Sequence, residues 1–424
     1  MRPPVDRCCS EMTRRGFLGR AAAVGAAGAL TGLVGDTLAT RLAFAAPAYT
    51  GDTVVVLSLR GGFDGMSVVV PTGDPGYLQA RPSIGIGADR LVGRDPSGFF
   101  GLHPALAPLV PFWENGQFAA VHAVGQQDPT RSHFAALEEM ERAAPGTSLR
   151  TGWIDRMLGV RGSSTVWGGV ALGGPLAPQA LGGPVPDLAL ESVDGFALDG
   201  EGDGGSIAAA LRTMYADAPP LVAAPALGTL AAVGTTTAMK AAGYTPANGA
   251  TYPDTVLGGA LRDVARLIKA RVGLQVACVD YGDWDMHEGL GTPEAGQWMH
   301  DHLTELAQAL AAFATDLGPA GMGGVTLLTL SEFGRRVEQN ASNGLDHGHA
   351  NAMLLLGGGV VGGTVYGSWP GLGEADLDDG SLRGTTDYRT VIGEVLQQRC
   401  GMGSLAGVFP GVPAQRLGLV TART

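Results

Sequence analysis

For residues 46–424 the sequence predicts a wound α/β fold, a central mostly parallel sheet flanked by helices, on three observations. Residues 53–59 form an unbroken apolar run ending at Gly61-Gly62, and comparable runs recur at 118–124, 274–279 and 325–330. A strand buried on both faces reads as such a run, whereas a half-solvated strand alternates. Each later run follows a stretch with helical spacing, at 104–114, 257–271 and 298–317, and strand alternating with helix is the pattern of a covered sheet. No period of 20–50 residues repeats, which excludes solenoids and propellers.

The first 45 residues stand apart. Arg14-Arg15 precede Phe17-Leu18, a mild Ala- and Gly-rich run follows, and Ala43-Phe44-Ala45 closes the segment as a small-x-small exit. Paired arginines, a weakly apolar middle and a cleavable exit describe a twin-arginine (Tat) export signal. The expected location is therefore periplasmic or extracellular, with the Tat machinery as a transient partner. The run is too short and too polar for a permanent membrane span, and no later window reads as long and apolar enough for one. Removing the signal takes away six basic and three acidic residues, so the net charge moves from −12 to −15. Such acidity excludes general nucleic-acid binding. Only Cys278 and Cys400 remain, so stability must come from a core rather than from disulfides.

Residues 46–424 are read as a single domain with one interruption. Between about 145 and 250, Gly, Pro and Ala dominate, with short strands near 164–172 and a helix over 225–242. This stretch is expected to be an insertion, a Gly/Pro/Ala-rich cap on the sheet.

Polar residues gather just after the predicted strands, where open α/β sheets place their sites. Asp64 follows the first strand in Arg60-Gly61-Gly62-Phe63-Asp64, although Asp in a Gly-rich turn also has a conformational use. Thr130, Arg131 and Ser132 precede a helix; either hydroxyl serves as an N-cap or meets a phosphate or sulfate in the positive end of the helix dipole, aided by Arg131. Asp285 and His287, two apart on an extended segment, point the same way and form a metal half-site. Asp346, His347 and His349 place three ligand-type side chains within four residues, near Glu332 and Arg335. Neither a phosphate-binding Walker loop nor a Gly-x-Ser-x-Gly elbow is present.

In this order, Leu59 to Gly65, Ser132-His133-Phe134, Trp284 to His287, Ser331 to Arg335, Asp346 to His349, and Leu356 to Gly359 running to Tyr366-Gly367 resemble the domain-of-unknown-function 1501 family. These are Tat-exported bacterial proteins allied to the alkaline phosphatase and sulfatase superfamily. The resemblance implies an alkaline phosphatase/sulfatase-like fold with one or two divalent ions (zinc, calcium, magnesium or manganese) at the carboxyl edge of the sheet. It implies one site from Asp64, Asp346 and His347, a second from Asp285, His287 and His349, and Glu332 as an extra ligand. It further implies a Ser, Thr or modified Cys at a helix start as nucleophile.

Two departures matter. The sulfatase pattern Cys-x-Pro-x-Arg is matched at Pro129 and Arg131, but Gln127 occupies the Cys position, so no formylglycine forms there. Ser132 is then preferred to Thr130 as nucleophile. His349 also follows His347 more closely than a last ligand histidine usually does. The implied reaction is phosphoryl or sulfuryl transfer to a metal-activated hydroxyl followed by hydrolysis, with Arg131 or Arg335 clamping the non-bridging oxygens of an anionic ester. The rival expectations are a hydrolase-fold protein without turnover, acting in binding or secretion, and a metalloenzyme of another reaction class.

Overall fold

The computed structural model describes residue 49 and residues 51–163, 165–200, 205–412 and 415–423. The segment expected to be an export signal, with its arginine pair and Ala43-Phe44-Ala45 exit, lies outside the described residues. Nine strands make the main sheet: β1 (Thr53–Leu59), β2 (Phe118–Gly125), β3 (Gly169–Leu172), β4 (Leu188–Leu190), β5 (Val276–Tyr281), β6 (Val325–Leu330), β7 (Asn351–Gly357), β8 (Val365–Tyr366) and β9 (Thr386–Asp387). Their order is β8-β2-β7-β6-β1-β5-β3-β4, with β9 also paired to β2. Six of the eight pairings are parallel, and both antiparallel ones involve β7.

The apolar run of β1 is explained by its place between β5 and β6. Side chains alternate across a strand, and here both faces are covered. Val55, Leu57 and Leu59 join one core with Leu261 and Val264 of α5 (Val256–Ala270) and Leu306, Leu310 and Phe313 of α6 (Trp298–Met322). Val54 and Val56 join a second core with Ile154 and Met157 of α2 (Trp153–Val160) and Val391 and Val395 of α7 (Tyr388–Arg399). The result is a helix–sheet–helix sandwich. Residues 104–114, read as one helix, are a 3₁₀ segment, Pro104–Leu109, followed by a short α-turn, Val110–Glu114.

Within 145–250, β3 and β4 extend the parallel part of the sheet, while α3 (Ser206–Ala216) and α4 (Pro220–Ala242) do not join it. With 23 residues, one charge at Lys240 and a mean hydropathy of 1.4 over its best window, α4 is long and apolar enough to cross a membrane. That corrects the sequence expectation that no later window qualifies: Gly, Thr and Pro dilute the run by eye, but Ala, Val and Leu carry its mean.

Candidate metal centre

The carboxyl ends of β1, β2, β5 and β6 share one edge of the sheet, and antiparallel β7 begins there. Residues that follow four strands and precede a fifth thus meet at this edge. Glycine permits the approach: Gly61 and Gly62 have φ of +116° and +74°, and a Cβ on Gly61 would lie 2.6 Å from the Asp285 nitrogen.

Three imidazoles and one carboxylate converge. His347 Nε2 lies 3.0 Å from both His133 Nε2 and His287 Nε2. Asp285 Oδ1 is 3.1 Å from His347 Nε2 and 3.1 Å from His287 Nε2, and its Oδ2 is 3.5 Å from His133 Nε2. The other ring nitrogens all face outward to acceptors: His133 Nδ1 to Glu332 Oε1 at 2.8 Å, His287 Nδ1 to Asp346 Oδ1 at 2.9 Å, and His347 Nδ1 to the Arg131 carbonyl at 2.9 Å.

These outward partners decide the chemistry. The Arg131 carbonyl can only accept, so His347 Nδ1 must carry a hydrogen, and the two carboxylates favour the same tautomer at His133 and His287. The ring hydrogens then sit on the outward nitrogens: the His347 Nε2 lone pair faces the Nε2 atoms of His133 and His287, and all three face the Asp285 carboxylate. Facing acceptors 3.0 Å apart repel unless a cation sits among them. Ligands held tetrahedrally around zinc at 2.0–2.1 Å would be separated by roughly 3.3 Å, close to the separations His347 makes with His133, His287 and Asp285; His133, Asp285 and His347 all lie within 4.8 Å of one another. An imidazole oriented by an outer carboxylate or carbonyl is the usual support of a metal ligand. The residues present therefore fit a divalent ion that accepts nitrogen and oxygen.

Burial opposes the charge on Asp285, but the hydrogen bond and positive charge of Arg335 outweigh it and hold the carboxyl at about 2. Hydrogen bonds from His287 and Asn340 lower Asp346 in the same direction. Phe333 packs against the rings of both His133 and His347, at 4.8 Å between centroids, and fixes their tilt. The side chains of Asp285 and His287 remain 48% and 46% exposed, so the cluster opens to solvent.

The expected site residues divide. Asp285, His287 and His347 lie in the cluster. Asp346 and Glu332 stand one step out, each orienting a histidine; Glu332 also accepts from the Gly61 amide at 2.9 Å. Asp64 is elsewhere: it is buried, bound to Arg81 Nη1 at 2.5 Å and Nη2 at 3.0 Å, and caps Ser67. His349 faces the Gln126 carbonyl at 3.0 Å. The two sites implied by the resemblance, one on Asp64 and one on His349, are thus not the arrangement found, because each residue has a separate partner.

Arg335 is not a free clamp. Its buried guanidinium donates to the carbonyls of Gly61, Gly62, Trp284 and Leu345 and to Asp285 Oδ1 at 2.7 Å. It ties together the loops that carry the candidate ligands. At the start of α1 (His133–Arg142), Ser132 holds the N-cap position, but its hydroxyl makes no capping bond. Thr130 Oγ1 accepts from the Ser132 amide at 3.4 Å. Arg131 pairs with Asp379 at 2.8 Å.

His133 is the residue that sequence reasoning missed. Its only signal in the sequence is a histidine at the first turn of a helix that follows a strand, next to the hydroxyls of Thr130 and Ser132.

No curated protein matches this chain in sequence. Among solved structures, a sulfatase from Pseudoalteromonas sp. is similar over 90% of this chain and 73% of its own, with 13% identity and a TM-score of 0.37, a level that carries no argument about fold family or chemistry. Residues 230–385, which include Asp285, His287, Arg335, Asp346 and His347 but neither Ser132 nor His133, match the model of a family described as "Protein of unknown function (DUF1501)".

Proposed function

We propose that the protein is an exported, metal-dependent hydrolase of phosphate or sulfate esters, with one divalent ion held by His133, Asp285, His287 and His347. The observation that carries this reading is the inward convergence of His133, Asp285 and His347 within 4.8 Å of one another, with His287 Nε2 3.0 Å from His347 Nε2 and every outward histidine partner an acceptor. A structural zinc site is closed, whereas a catalytic one keeps an open side; the exposure of Asp285 and His287 favours the second kind.

The ion, when bound, would lower the pKa of a nearby hydroxyl or water and offset negative charge developing on the ester. The chain supplies the remainder. Ser132 is the preferred nucleophile: it adjoins a ligand, sits at the positive end of α1, and its hydroxyl is not used as a cap, unlike Thr130, whose hydroxyl supports the turn. Attack forms a bond from Ser132 Oγ to phosphorus or sulfur as the ester bond breaks, the hydroxyl proton going to the departing alcohol; water then cleaves the Ser132 ester, restoring the hydroxyl and releasing phosphate or sulfate. The helix-start amides and Arg131 receive the ester oxygens. The Arg131–Asp379 pair is solvent-exposed and therefore weak enough to yield to a substrate.

Metal analysis of the purified chain, with turnover of p-nitrophenyl phosphate and p-nitrophenyl sulfate, tests this. About one ion per chain is expected, lost in His287→Ala; Ser132→Ala should keep the ion and lose turnover. A metal-loaded parent inert toward both esters would replace this reading with a non-catalytic binding protein.

A further inference from the structure

Residues 377–382 form a small hairpin beside the metal centre, with Leu377–Asp378 paired to Ser381–Leu382. Its two turn residues, Asp379 and Gly380, have φ of +47° and +73°, as a tight two-residue turn demands. The tip presents Asp379, whose carboxylate lies between two guanidinium groups: Oδ2 is 2.8 Å from Arg131 Nη1 and 3.5 Å from Arg336 Nη2. Arg131 Nη2 also donates to the Asp379 carbonyl at 3.2 Å and to Ser381 Oγ at 3.1 Å.

Both arginines are anchored to the ligand-bearing segments through their main chains. The Arg131 carbonyl receives His347 Nδ1, and the Arg336 amide donates to the Asp346 carbonyl at 2.9 Å. Two cations so placed form a site for a group with several anionic oxygens, since a guanidinium meets such a group with paired donors. Asp379 itself is 79% exposed. An exposed acid at a turn gains little from pairing, yet it occupies the position such an anion would take.

We infer that Arg131 and Arg336 are an anion-binding pair for the charged group of the substrate, and that Asp379 is a built-in competitor which the substrate displaces. The identity of that anion as a phosphate or sulfate rests on the hydrolase reading above; the pairing of the two arginines does not. The hairpin is then a gate set by charge: a neutral ligand leaves Asp379 in place, and a polyanionic group exchanges with it. Ser381, already bonded to Arg131, keeps that arginine aimed while the exchange occurs.

The test is calorimetric titration of the metal-loaded protein with inorganic phosphate, in the parent, Asp379→Asn, Arg336→Gln and the double variant. Asn tolerates the left-handed turn, so Asp379→Asn removes the charge and keeps the backbone. It should tighten phosphate binding about three- to fivefold, the scale on which an exposed ion pair acts. Arg336→Gln should weaken binding, and the double variant should show none of the gain. Unchanged or weaker binding in Asp379→Asn, the same gain without Arg336, or no phosphate binding by any variant would each overturn the inference. Metal content and ester turnover of the parent report separately on the hydrolase reading, so the two failures are distinguishable.

Discussion

Replacing Arg335 by Lys tests how the site is held together. The guanidinium serves five acceptors, four carbonyls and the Asp285 carboxylate, and the residue is 1% exposed. An ammonium offers three donors from a single point, so at least two acceptors lose their partner. A buried polar group left unsatisfied costs about 1–3 kcal/mol, which sets the expected loss at about 3 kcal/mol. Asp285 also loses its fixed orientation, and removing such outer support commonly weakens metal affinity about 10–100-fold. Urea unfolding of the metal-free protein reads the first quantity, and competition with a chromogenic zinc chelator reads the second. If Arg335→Lys unfolds within about 0.5 kcal/mol of the parent, a difference typical of ordinary surface changes, and binds zinc equally well, the tie is not what organises these loops.

Two further outcomes follow from the same geometry. His133→Ala should abolish stoichiometric zinc binding, whereas Asp64→Asn should destabilise the fold and leave zinc stoichiometry intact; equal zinc loss in both would mean the ligand set is misassigned. Burial, with the Asp155 charge adding to it, raises the Asp187 carboxyl to about 6. Its folded value therefore exceeds the unfolded value of about 3.9, the native state holds the extra proton, and stability falls as pH rises from about 4 to 6. Asp187→Asn should flatten that slope and raise stability at pH 7, as read by urea melts at pH 4.5 and 7; a slope identical to that of the parent would refute it.

The strands legible in sequence were those buried on both faces. β1, β2, β5 and β6 lie inside the sheet, and their apolar runs fall where neither face meets water; in β5 only Asp280, past the run, is exposed. β7 is equally buried, but a run such as Asn351–Gly357 says nothing about direction, and its antiparallel course depends on neighbours found only in the fold. The same limit applies to the site. Asp285, His287 and His347 stood out because ligand-type residues cluster locally around them. His133 had no such local company: its partners Glu332 and His347 lie 199 and 214 residues away. Asp64 attracted attention after a strand, yet Arg81, only 17 residues on, claims it. A carboxylate that balances a buried cation and one that holds a metal look alike until the cation is located.

The reversed course of β7 bears on the order of assembly. Because β7 starts at the edge where its neighbours end, His347 arrives ahead of its strand, while His133 arrives behind β2, to which β7 pairs. The two histidines therefore come within reach only when a strand from the first third of the domain has closed against one from its last third. Contacts so distant along the chain form late, since loop closure must precede them. Capture of an ion by the full set would then be a timestamp: a colorimetric ion signal appearing during refolding should trail the recovery of helical signal, and would mark the moment at which the chain has become whole.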